Sequence, residues 1–177
     1  GEVYAFKPAL AYWLAAASGS AFGWSEFAMR LPTTLCGILL GLVTCLSIGR
    51  LVSPRCGLVA GLATVTSCLF AEQARMAGFD MPMTLGTGMA TLAAIRNLTK
   101  EESNAGWWLI GHAGLLLGFL AKGLPAVAMY GVGLLAAAIA LKQLRLLLRW
   151  QHLLAIALFV AGAAVYLALA IHDGGYL

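Results

Sequence analysis

The chain has 177 residues, 62% of them hydrophobic and 10% charged, with a mean hydropathy of +0.90 and a formal net charge of +4. This is more apolar surface than one soluble core can hide, so the composition excludes a water-soluble domain and indicates an all-α integral membrane protein. Continuous Leu-, Ala- and Gly-rich runs exclude a transmembrane β-barrel, whose strands alternate over about 10 residues, and the placement of the positive charge, given below, reads as membrane topology and not as a nucleic-acid surface.

In chain order, the segment from Glu2 to Trp24 combines Tyr4, Lys7, Pro8, Tyr12 and Trp13 with a short run of Ala, Ser and Gly. It is too short and mixed to span the roughly 20 residues a bilayer requires, and its aromatics suit a helix lying in the interface. Six spans are predicted after it, at about 35–51, 57–70, 81–95, 107–121, 124–141 and 153–171. Gly86, Gly88, Gly111, Gly114, Gly118, Gly131 and Gly133 are predicted points of close helix approach, because lipid supplies no hydrophobic drive between helices and small residues let backbones meet. Cys36, Cys45, Cys56 and Cys68 form no CxxC and are read as buried thiols. The expected division is an extracytoplasmic or interfacial segment 1–34, a helical bundle 35–171 and the start of an extracytoplasmic loop at 172–177. The chain opens on Gly1 without a signal peptide, and an upstream part is expected.

Charge sets the expected orientation. Arg50, Arg55, Arg96, Lys100, Lys142, Arg145 and Arg149, seven of the eleven basic residues, fall in one set of connections, which the positive-inside rule assigns to the cytoplasm. The other side holds Lys7, Arg30, Arg75 and Lys122 with Glu2, Glu26, Glu72, Asp80 and Asp173. Charges so close to hydrocarbon persist when they pair or line a wet cavity. Lys7 before Pro8 reads either as a phosphate-binding cation or as a snorkelling anchor. Arg75 and Asp80 read either as substrate-orienting groups, with Glu72 pairing to Arg75, or as an ion pair capping two helices. Lys122, in the turn 122–125, reads either as a solvated lysine or as a cation facing the same cavity as Lys7 and Arg75. Glu26 and Arg30 are spaced for an intrahelical pair, His112 for a packed, hydrogen-bonded ring, and Trp107, Trp108, Trp150 and His152 for the cytoplasmic interface.

Four ordered segments carry a resemblance. Residues 7–14 (KPALAYWL) resemble a KPPLxYWL signature, 25–32 (SEFAMRLP) a seFaaRLPs segment, 75–82 an ARxxxxDMP loop, and 119–123 (FLAKG) an FLxKG turn. Together they are similar to GT-C glycosyltransferases that use a polyprenyl-phosphate-linked sugar, a group including the aminoarabinose transferases of lipid A and relatives of the protein O-mannosyltransferases.

The resemblance implies a GT-C helical bundle in a bacterial inner membrane and an inverting glycosyltransferase acting on the extracytoplasmic side. Its partners would be membrane lipids, the lipid-linked sugar and a lipid or protein acceptor. It also implies that Lys7, Arg75, Asp80 and Lys122 bind the donor phosphate or substrate, with Tyr4 and Glu72 in support, and that the catalytic carboxylate lies upstream of Gly1. The second proline of the signature is Ala9. The position before the lysine, a glutamate tied to a divalent metal in the lipid A branch, is Phe6; the resemblance allows a divalent metal, but the residues themselves predict no cofactor firmly. A transporter or flippase of a lipid-linked or anionic solute is the alternative, using the same cations for binding alone.

Overall fold

Residues 8–100 and 103–174 are described by the computed structural model, the side chains of residues 173 and 174 excepted. Among them the chain is helical throughout, with no strand. Two helices are long and apolar enough to cross a membrane, Glu26–Leu51 and Trp150–His172, with a third if a bent pair, Pro54–Thr66 and Cys68–Arg75, counts as one.

Local chemistry explains the ends. Helix α1 (Leu10–Phe22) stops at Gly23, whose φ of 82° suits a residue without a Cβ. Helix α2 (Glu26–Leu51) starts where the Ser25 hydroxyl accepts from the Ala28 N–H, and Glu26 in its first turn complements the helix dipole. It therefore begins nine residues before the predicted span at 35, and it runs straight through Pro32. The Thr33 and Thr34 hydroxyls both donate to the Arg30 carbonyl oxygen in the turn around that proline, at 2.7 and 3.1 Å.

The predicted span 57–70 is broken. Helix α3 (Pro54–Thr66), capped by Ser53 with Pro54 in its first turn, ends at Ser67. Ser67 takes an extended ψ of 132°, and α4 (Cys68–Arg75) leaves at 62° to α3. Helices α5 (Asp80–Thr99) and α6 (Ala105–Lys122) follow, then α7 (Leu124–Ala140), a one-turn α8 (Leu144–Leu147) and α9 (Trp150–Gly174). The α6–α7 reversal is made at Gly123, with a φ of 78°.

Helices α5 and α6 form the most extensive packed pair, and they meet through glycine. A Cβ at Gly86 would stand 2.4 Å from the Gly114 oxygen and 2.5 Å from the Gly118 nitrogen, and one at Gly111 would stand 3.1 Å from the Ala93 Cβ. Gly88 instead admits Leu40 of α2. The expectation for Gly131 and Gly133 is corrected: a Cβ at either meets nothing within 4 Å, so among the described residues that face of α7 packs on no other helix.

At the far end of α6, Trp108 is fully buried against His152 at 4.2 Å between rings, and the His112 Nδ1 lies 2.9 Å from the Trp108 oxygen. Trp108 and His152 are thus core residues and not interface markers; α8 folds the chain back so that the start of α9 covers Trp108. Trp150 keeps an outward position at 65% exposure. The cysteine reading also divides, with Cys36 buried and Cys56 and Cys68 on exposed helix faces.

Candidate functional site at the α4–α5 junction

The four motif segments come together at one end of the bundle. Asp80 is the first residue of α5 and Lys122 the last of α6, and their side chains form an ion pair, 42% and 33% exposed respectively. Each charge also sits at the helix end that favours it, the carboxylate at an N-terminus and the ammonium at a C-terminus. Next to Lys122, a Cβ on Gly123 would stand 3.6 Å from Pro8, which brings the start of the first motif onto the turn that carries the last. The Ala9 N–H donates to the Tyr166 hydroxyl of α9 at 3.0 Å, fixing that approach from the other side.

Two cavities lie at the neighbouring α4–α5 junction, and neither Asp80 nor Lys122 is among the residues lining them, so Lys122 does not share the expected cavity with Arg75. One, of about 190 Å³, lies between α1, the start of α2 and residues 77–82, with Tyr12, Leu14, Met29, Pro32, Phe79 and Pro82 among its walls. Tyr12 meets Phe79 edge to face at 5.1 Å, so the first motif also packs on the residue before Asp80. The other cavity, about 680 Å³, is lined by Arg30, Glu72 and Arg75 with Cys68, Ala71, Met76 and Ala77. Ala77 lines both. Helix α4 is held in this position by the Thr34 hydroxyl, which donates to the Ala74 oxygen at 2.9 Å across 40 residues of sequence.

Of the residues singled out from sequence, Asp80 and Lys122 pair with each other, and Arg75 and Glu72 line one cavity. Tyr4, Phe6 and Lys7 lie outside the described residues. Glu72 and Arg75 do not form the expected ion pair: the salt bridges among the described residues are Asp80–Lys122 and Glu26–Arg30. Both side chains are exposed at the open mouth of the larger cavity, where hydration competes with a weak surface pair. Arg30 has a second role that sequence spacing hides. It bonds Glu26 at 3.2 Å as expected, yet it also shares a cavity with Arg75, and the signal was its place inside one of the four motif segments. No group of three or more His, Cys, Asp or Glu among the described residues is placed to hold a metal.

Comparison with known proteins identifies a family and a fold. The sequence pattern of the family described as dolichyl-phosphate-mannose-protein mannosyltransferase matches residues 6–168. The fold is similar to the crystal structure of ArnT from Cupriavidus metallidurans in the apo state, with a TM-score of 0.81 and 19% identity. That likeness covers 94% of this chain and 32% of the ArnT chain. No curated protein sequence matches.

Proposed function

Because the chain belongs to the family described as dolichyl-phosphate-mannose-protein mannosyltransferase, we propose that it forms part of an inverting GT-C glycosyltransferase moving a sugar from a polyprenyl-phosphate carrier to a lipid or protein acceptor. The observation that carries this reading is the meeting of four separate motif segments around the Asp80–Lys122 pair, beside a cavity lined by Arg30 and Arg75. In such a transfer the leaving group is a lipid phosphate whose negative charge grows as the sugar departs. Cations fixed beforehand stabilise that charge more than they stabilise the bound donor, which is what accelerates the step.

In this reading Lys122 and Lys7 engage the donor phosphate, Arg75 lines the polar cavity with Glu72 and Tyr4 in support, and Asp80 orients Lys122. The carboxylate that deprotonates the acceptor is assigned to no residue of this chain. The topology that goes with it has six crossings, with residues 1–34 extracytoplasmic or interfacial, 35–171 in the bundle and 172–177 opening an extracytoplasmic loop. The first turns of α2 then stand above the span. The basic connections face the cytoplasm of a bacterial inner membrane, and the site faces out.

The test is transfer of sugar from a polyprenyl-phosphate donor by the membrane-embedded enzyme carrying Lys7→Ala or Lys122→Ala. Each is expected to lower turnover about 10²-fold or more, the scale of losing one fixed charge-stabilising donor, with membrane insertion unchanged. Near-normal turnover in both variants sinks the assignment. Saturable uptake of a lipid-linked or anionic solute without sugar transfer would establish the transport alternative.

A further inference from the structure

The opposite end of the bundle holds a second charged cavity that the motif segments leave unused. It measures about 300 Å³ and is lined by Arg50 and Ser47 of α2, Arg96 and Leu92 of α5, the adjoining Lys100, and Leu51 and Trp107. Among the described residues three cations, from α2, α5 and the residue that ends α5, share this space, and no carboxylate lines it. Glu101 and Glu102, next in the sequence, lie outside the described residues. The Arg96 guanidinium lies over the Trp107 ring at 4.5 Å, which holds its plane in place. Arg50 and Arg96 do complement the C-terminal dipoles of their helices, but that role is served by each alone and gives no reason for them to converge with Lys100 on one cavity.

A second observation extends the cavity toward the middle of the bundle. A groove of about 260 Å³ runs along α5 between α2 and α7, lined by Leu40, Thr44, Thr84, Thr87, Thr91 and Met129 among others, and Leu92 lines both spaces. The groove is more apolar than its threonines imply. The hydroxyls of Thr84, Thr87 and Thr91 donate to carbonyls of their own helix, at Asp80, Met83 and Thr87, and so are already satisfied. On α2, Thr44 in the groove lies one turn from Ser47 in the cavity.

We propose that this end of the bundle binds the headgroup of an anionic phospholipid, with the phosphate among Arg50, Arg96 and Lys100 and one acyl chain along the α5 groove. The phosphate relieves the mutual repulsion of three cations at a membrane boundary, where clustered Lys and Arg recognise acidic lipids. Two guanidiniums give it paired donors in fixed planes. The adjoining apolar groove, which shares Leu92 with the cavity, favours a lipid over a soluble phosphate. The site is separate from the Asp80–Lys122 region, at the other end of α5 and α6, and does not depend on the glycosyltransferase reading.

The experiment is native mass spectrometry of the detergent-solubilised protein titrated with dioleoyl phosphatidylglycerol, dioleoyl phosphatidylcholine, dihexanoyl phosphatidylglycerol and glycerol 3-phosphate. Dioleoyl phosphatidylglycerol is expected to bind well above phosphatidylcholine, and the short-chain form more weakly than the long. Glycerol 3-phosphate at millimolar concentration is expected not to displace it. R50Q/R96Q is expected to lower its affinity by about 10- to 30-fold, while R50K/R96K, which keeps the charge but not the paired planar donors, recovers only part of it. Equal binding of the two dioleoyl lipids would overturn the proposal, as would displacement by glycerol 3-phosphate. An equal loss in R145Q/R149Q, basic positions at the same end but off the cavity, would reduce the effect to general surface charge and overturn it too.

Discussion

Replacing Gly86 by alanine is the sharpest test of how the candidate site is held. The added Cβ would lie 2.4 Å from the Gly114 oxygen and 2.5 Å from the Gly118 nitrogen, both backbone atoms of α6. Ordinary contact begins about 1 Å farther out, and no flexible side chain is present to move aside. The α5–α6 pair must therefore separate by about that distance, or the helices must bend. Overpacking of this kind costs about 1 to 3 kcal/mol, and the better helix propensity of alanine offsets about 1 kcal/mol of it. The net loss is about 0 to 2 kcal/mol against wild type, but about 1 to 3 kcal/mol against a glycine-to-alanine change in open space, a melting point lower by about 3 to 9 °C for a chain of this size. Gly131→Ala supplies the control, since its Cβ meets nothing within 4 Å and only the propensity gain remains. Thermal unfolding in detergent, followed by the fluorescence of Trp107 and Trp108 on α6, compares the two. Equal melting points, or a Gly86→Ala protein more stable than wild type, would refute the picture of helices in backbone contact.

Three further outcomes are expected. Asp80→Asn removes the carboxylate that holds Lys122, so the melting point falls by the equivalent of about 1 kcal/mol for a half-exposed pair, while binding of a polyprenyl phosphate tightens; weaker binding with an unchanged melting point would contradict the pairing. Arg75→Gln leaves stability unchanged, because Arg75 is exposed and forms no ion pair with another described residue; it nonetheless lowers sugar transfer, and loss of stability without loss of transfer would reverse that assignment. Thr34→Val deletes the 2.9 Å bond to the Ala74 oxygen; a loss of about 0.6 to 1.7 kcal/mol is expected in equilibrium unfolding, the range for hydrogen bonds between membrane helices.

The apolar runs were legible as helices because continuous hydrophobic length needs no tertiary information, and the reversal at Gly123 was legible because Lys122-Gly123-Leu124-Pro125 is turn chemistry. The start of α2 was misplaced because Pro32 and the charges before it resemble a loop, whereas the Ser25 cap starts the helix there and it continues through Pro32 in its second turn. The break at Ser67 carries no Gly or Pro to announce it and follows from how α4 docks on α2 through Thr34. Hydropathy likewise cannot tell lipid-facing from protein-facing residues, so Trp108 and His152 read as interface anchors until α8 places them in the interior. At the site, the four segments were recognisable one by one. What sequence did not give was their partnering: Asp80 with Lys122 and Arg30 beside Arg75, instead of Glu72 with Arg75.

The Asp80–Lys122 pair has a thermodynamic consequence for whatever anion enters. Lys122 is not a bare cation awaiting a partner; at rest its charge is already matched by a carboxylate. An incoming anion therefore engages it by exchange, and the binding free energy is the difference between two ion pairs instead of the whole of one. A singly charged ligand gains little from such a swap, because it replaces like with like. A phosphate gains in proportion to its second charge, and the released Asp80 is left unpaired at the positive end of α5, where the helix dipole still favours it. On the proposed reaction the intact donor is a phosphodiester with one charge and the departing polyprenyl phosphate carries a second, so the pair would favour the leaving group over the bound donor.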